Sequence, residues 1–239
     1  MYGAVSLAAV NYIVSIVDIT TLIGCSGILI NDNWAISVAF CLPNKTGKKY
    51  AVLPDRNLPL LVLIERLEYP PNYSSTSDIV LMRTEEKFKS HVSVGFVRTD
   101  SCEIVSYGRI NEKEDGKRKH VMDKTVYCKL PDKGNEGKLC IDLQNKADFC
   151  AGDVGGGLVC GGYLKAILLS TSTSNTECNT IIKGGKGLFS NLENRKDWLA
   201  EIANITVHSA GKPVLHSNKL KIIVFQLFFL CSINLVRSN

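Results

Sequence analysis

The stretch CAGDVGGGLVC, residues 150–160, sets four glycines and an aspartate between two cysteines. Glycine at this density marks a backbone that bends sharply and presents its amides to a neighbour. The residue between Asp153 and Gly155 is Val154, which has no heteroatom. The turn is shaped as a cradle, yet it carries no nucleophile of its own.

Outward from this turn, short apolar runs fill the chain: YIVSIV at 12–17, GILI at 27–30, WAISVAF at 34–40, LLVLI at 60–64, DIVLM at 78–82 and VSVGFV at 92–97. EIVSY at 103–107, GLVCGGYLKAILLS at 157–170 and GLFSNL at 187–192 continue the series. The runs are brief, rich in β-branched residues and separated by Gly, Pro, Asn and Asp, which predicts an all-β barrel or sandwich. One helix is expected over residues 194–205, where Trp198, Leu199, Ile202 and Ile205 recur at helical spacing. The charged stretches 111–120 and 131–138 read as surface loops.

The 239 residues suffice for one large domain or two lobes, and the net charge of +5 is mild. The densest basic run, GKRKH at 116–120, directly follows EKED, so it reads as a solvated loop and not as a nucleic-acid surface. No phosphate loop or zinc-like CxxC pair occurs, and neither cofactor nor metal is expected. Eight of the nine cysteines are widely spaced in the body, an even set that suggests disulfides and an oxidising compartment. Sequons at Asn44, Asn72 and Asn204 agree with export. The first residues, MYGAVSLAAVNYIVSIVD, are apolar without a basic leader and read as structure, so an export signal is expected to lie outside this chain.

Four segments together resemble one family. CSGILINDNWAISVAFC at 25–41 is similar to the CGGxLI…W…(T/S)AAHC loop of chymotrypsin-fold serine peptidases, and SDIVLM at 77–82 to their (N/S)DIALL segment. CAGDVGGGLVC resembles CxGDSGGPLVC, and GKGLFSNLENRKDWLAEI at 185–202 resembles the closing PGVYTxVxxxxxWI. The segments run in family order from about Tyr12 to Ile205. The resemblance implies two six-stranded antiparallel β-barrels, about 1–90 and 91–192, with a C-terminal helix at about 194–205. It also implies the disulfides Cys25–Cys41, Cys102–Cys160, Cys128–Cys140 and Cys150–Cys178.

Where the family has its catalytic histidine, aspartate and serine, this chain has Phe40, Asp78 and Val154. Attack needs a lone pair and a base to take the proton, and neither Phe40 nor Val154 supplies one. The amides of Gly152 and Val154 match the oxyanion hole. Asp153 matches the aspartate that pairs with a freed amino terminus, so it is expected to need another partner or a raised pKa. In the specificity pocket Asp148 matches the basal aspartate and Gly187 a wall glycine, whereas Thr171 and Ser170 replace a glycine and a tryptophan, and Phe149 a small residue. The four histidines fall in no family motif.

Beyond Ile205 the chain changes character. Ser209, Ala210 and Gly211 are small, KPVLHSNKLK is a polar spacer, and 222–236 is an apolar stretch short of a full membrane span. That order matches a glycolipid attachment signal, with a short transmembrane anchor as the alternative. Residues 1–206 are thus read as a peptidase-like domain and 207–239 as spacer and anchor signal. The expectation is a catalytically inactive serine protease homologue, extracellular or tethered, that binds a protein ligand (a protease, an inhibitor or a substrate-like protein). The alternative is an active serine-type endopeptidase.

Overall fold

The run at 79–82 shows no polar alternation because both faces of its strand are buried. Ile79 and Leu81 enter the core between the two halves of the molecule, whereas Val80 and Met82 fill the interior of the first. Residues 34–38 divide the same way, with Trp34, Ile36 and Val38 on one face and Ala35 on the other. Strand periodicity of two thus feeds two cores at once.

The computed structural model describes residues 5–6, 11–20, 24–42, 50–54, 61–72, 78–99, 101–108, 117–124, 126–130, 135–143, 149, 152–171 and 185–209. The strands are β1 (Val5–Ser6), β2 (Ile13–Asp18), β3 (Gly24–Leu29), β4 (Trp34–Val38), β5 (Tyr50–Leu53), β6 (Val62–Glu68), β7 (Ile79–Thr84) and β8 (Gly95–Phe96). There follow β9 (Ser101–Gly108), β10 (Lys117–Lys124), β11 (Val126–Tyr127), β12 (Lys138–Asp142), β13 (Gly157–Cys160), β14 (Tyr163–Thr171) and β15 (Lys186–Asn191). Helix α1 (Lys196–Ala203) and β16 (His208–Ser209) complete the set.

Strands β2-β3-β4-β7-β6-β5 close a barrel around Val14, Ile16, Leu29, Tyr50, Val52, Ile64 and Met82. The second half is an eight-stranded sheet in the order β1-β10-β9-β13-β14-β15-β12-β11, with Ile104, Ile141, Leu158, Leu168 and Phe189 in its own core. Its inner six strands, β10 to β12, are those of the second barrel in the trypsin-like double-barrel fold. Among the described strands β10 and β12 do not pair. The outer edge of β10 instead takes β1, Val5 opposite His120 and Ser6 opposite Lys119.

Two expectations are corrected here. The charged segment assigned to a loop at 111–120 is strand from Lys117, because β10 forms an eight-residue antiparallel ladder with β9. Backbone pairing decides the state there, and charge is tolerated near a sheet edge. The helix is shorter than its apolar spacing predicts: Leu192–Arg195 is a tighter 3-10 turn, capped by Asn191 Oδ1, which accepts the Glu193 N–H at 3.1 Å. Asn204, at φ 51° and ψ 48°, ends α1 in the left-handed conformation that closes many helices.

Among the described residues three disulfides pin this frame. Cys25–Cys41 ties β3 to the turn after β4, Cys102–Cys160 joins β9 to β13, and Cys128–Cys140 staples the residue after β11 to β12. Cys150–Cys178 lies outside the described residues.

Candidate functional site

Phe40 sits on the 3-10 turn Ala39–Cys41, next to the Cys25–Cys41 disulfide, and its residue is 44% exposed. The turn is held from below, since the Ala39 N–H donates to the Asp78 carbonyl at 2.8 Å. Asp78 itself is 6% exposed at the start of β7. Its Oδ1 accepts the Ile79 N–H at 2.9 Å and its Oδ2 accepts Arg195 Nη2 at 2.8 Å. Arg195 arrives from the N-cap of α1, with its side chain 31% exposed. Both carboxylate oxygens therefore have partners, and the charge is neutralised by a cation from the carboxy-terminal segment.

The turn around Val154 is built from both halves of the molecule. Ser26, on β3, donates its N–H to the Val154 carbonyl at 2.8 Å and its hydroxyl to the Gly152 carbonyl at 2.6 Å. The same hydroxyl oxygen accepts the Tyr107 N–H at 2.6 Å. Ser37 Oγ donates to the Ser26 carbonyl at 2.7 Å. On the other side the Gly155 N–H reaches the Leu168 carbonyl, and the Gly156 N–H turns back to the Asp153 carbonyl. Gly155 is required here, for at φ 86° an added Cβ would land on the Ser26 carbonyl oxygen and the Ser37 hydroxyl. Gly152 is likewise left-handed, at φ 90°. Val154 is half-buried against the core shared by the two halves.

Asp153 is fully buried. Its Oδ1 accepts the Ser106 hydroxyl at 2.6 Å, and the residue makes a further polar interaction. The partner expected for this carboxylate is thus supplied in part by β9.

At the matched specificity pocket, Phe149 is 2% exposed and its ring lies against Gly187, where an added Cβ would come within 2.8 Å of two ring carbons. The ring meets Phe189 edge-on, with centroids 6.1 Å apart. Aromatic packing therefore takes up the space beside the wall glycine. Thr171 ends β14 directly opposite Gly187, and Asp148 lies outside the described residues.

The other expected positions are dispersed. Asn72, at φ 58°, and Asn204 are both exposed, as is Ser209 on β16. Asn44, Ala210, Gly211 and His216 lie outside the described residues. His91 Nδ1 is 3.5 Å from Asp32 Oδ1, and His208 tilts against Tyr163. No group of three metal-ligating side chains occurs among the described residues.

Sequence reading missed Arg195, which is 117 residues from its partner Asp78 and is one charge among several at a helix start. It also passed over Ser26, although a serine where the family motif has glycine was the visible signal, and Ser106, which nothing marked.

Taken together, Phe40 and Val154 offer hydrocarbon surface, Asp78 offers a satisfied carboxylate, and the nearby serine hydroxyls are committed to backbone or to Asp153. The double-barrel fold, the disulfide-flanked GDxGG turn and the buried aspartate at the head of β7 define a chymotrypsin-like serine peptidase scaffold. The family model for trypsin matches residues 5–199, and the chain belongs to that family. It is 25% identical to mouse (Mus musculus) kallikrein-8 over 186 residues, covering 67% of this chain and 70% of the relative. It is 26% identical to snake venom serine proteinase 12 of Crotalus adamanteus, covering 74% and 77%. To the beta-fibrinogenase brevinase of Gloydius blomhoffii it is 24% identical, covering 77% and 88%.

Proposed function

We propose that this chain is a catalytically inactive serine protease homologue that works by binding a protein ligand, as a decoy for inhibitors or substrates or as a non-catalytic cofactor of an active protease. One observation carries the reading: at the positions matched to the base and the nucleophile stand Phe40 and Val154, and Asp78 is paired with Arg195 in place of an imidazole. Without a lone pair at residue 154 no acyl intermediate can form there, and without a base no water is activated. Phe149 packed on Gly187 supports the same reading, because a basic side chain entering that pocket would have to displace a buried ring.

The protein is extracellular on this proposal, which the three disulfides support. Among the described residues no helix is long and apolar enough to cross a membrane. On the same proposal residues 207–239 are the spacer and anchor signal, with Ser209, Ala210 and Gly211 as the lipid attachment zone.

The test is hydrolysis of Arg and Lys peptide esters together with labelling by serine-directed phosphonates. No turnover and no adduct on residue 154 are expected; stoichiometric labelling of a single serine with matching turnover would overturn the reading. The reversion Phe40→His with Val154→Ser is expected to stay weak while Arg195 holds Asp78, and to gain activity when Arg195 is also replaced by an uncharged residue. Full activity from the double reversion alone would show that the ion pair is no obstacle.

A further inference from the structure

A cavity of about 560 Å³ opens beside the end of α1, lined among others by Asn31, Asp32, Asn33, Trp34, Arg66, Arg83 and Asn204. It is separate from the degenerate triad and lies in the size range of pockets that take small ligands, roughly 300–1,000 Å³. Its floor is fixed: Asn31 Oδ1 accepts the N–H groups of Asn33 and Trp34 at 2.9 and 2.8 Å, and Asn31 Nδ2 donates to the Ala203 carbonyl at 2.7 Å. The Arg66 guanidinium lies over the Trp34 ring, 5.8 Å from its centroid. Arg66 Nε pairs with Glu68 at 2.5 Å and Arg83 Nε with Glu65 at 3.5 Å.

The chemistry of this lining selects an uncharged, hydroxyl-rich ligand. Each arginine faces a glutamate and Asp32 adds a further carboxylate, so the site has no surplus positive charge with which to hold an anion. A guanidinium has five N–H donors, and one carboxylate oxygen cannot use them all. Side-chain amides add donors and acceptors together. Neutral sugars bearing an acetamido group match that set.

A source of such sugars is already in the wall. Asn204 lines the cavity, heads the sequon Asn204-Ile205-Thr206, and is exposed together with Thr206. Its backbone leaves the helical conformation there, in the left-handed region that ends α1. We propose that Asn204 carries an N-linked glycan whose first N-acetylhexosamines fold back into this cavity and contact Trp34, Arg66 and Arg83. The glycan then fastens the end of α1 to the first barrel. This rests on the extracellular reading, since only an exported chain meets the glycosylation machinery.

The test uses the full chain expressed behind a cleavable leader in eukaryotic secretory cells, with disulfide and glycopeptide mapping of one sample. Asn204 is expected to be occupied. A peptide-N-glycosidase should release that glycan from the native fold roughly tenfold more slowly than from Arg66→Ala/Arg83→Ala protein, a factor that one well-formed contact produces. The same enzyme acting on denatured samples should show no difference. Disulfides formed with Asn204 bare would overturn the glycan proposal alone. Absence of both disulfides and glycans would overturn the extracellular reading with it. Equal release rates from both native proteins would refute the seating in the cavity.

Discussion

Removing Arg195 exposes how much the fold relies on its pairing with Asp78. In Arg195→Ala the Asp78 carboxylate keeps the Ile79 N–H but loses its only cation among the described residues, at a site 6% exposed. A fully buried pair broken in this way costs about 3–5 kcal/mol, and an exposed pair about 0.2–1. Arg195 is 31% exposed on its side chain, so water screens it in part, and the expected loss is about 2 kcal/mol. For a domain of this size that corresponds to roughly 4–8 °C in Tm. Asp78→Asn should cost a similar amount, since the amide keeps one acceptor but not the charge. The decisive measurement is a double-mutant cycle by urea denaturation of Arg195→Ala, Asp78→Asn and the pair. A coupling energy of about 1–2 kcal/mol is expected. Coupling below about 0.5 kcal/mol would place the pair among surface contacts and remove the argument that Arg195 has taken over the histidine's place beside Asp78.

Other outcomes follow from the same geometry. Gly155→Ala should destabilise by about 3 kcal/mol or more, because strain and collision combine, whereas Gly162→Ala, at φ 84° with open space, should cost only about 1–2 kcal/mol of left-handed strain; equal losses in thermal melts would refute the clash. Tyr12 has its phenol pushed up to about 12 by burial and by Glu103. Its neutral form is favoured in the fold, so its contribution to stability is complete below pH 10 and is lost as pH rises through 10 to 12, with ultraviolet titration expected to show phenolate late. A protein tethered through residues 209–211 should leave the cell surface on treatment with phosphatidylinositol-specific phospholipase C. Recovery of the 222–236 peptide in the mature protein would exclude that tether.

The strands were legible because burial on both faces wrote continuous apolar runs into the chain, and the four motif segments marked the family to which those runs belong. The run at 157–170 resolves into a hairpin, β13 and β14, turning at Gly161 and Gly162, both at positive φ. Strand β10 was hidden because KRKH carries no apolar signature and its state is set by hydrogen bonds to β9. At the site, the hydrocarbon side chains at the positions matched to the base and the nucleophile could be read at Phe40 and Val154 directly. What replaced their contacts could not. Arg195 reaches Asp78 across two elements distant in sequence, and Phe149 fills space beside Gly187 only once β14 and β15 are side by side.

Ser26 has a consequence for how the molecule comes apart. The hydroxyl and N–H that hold the Gly152 and Val154 carbonyls belong to the first barrel, 126 residues from the turn they hold. A chain divided between β7 and β9 would leave donors on one fragment and acceptors on the other, each facing water. The glycine turn is thus a property of the junction and not of either half. Unfolding should be a single cooperative event, with fluorescence of Trp34 in the first half and Trp198 on the helix lost together. Two fragments mixed in solution would recover the turn only by finding each other.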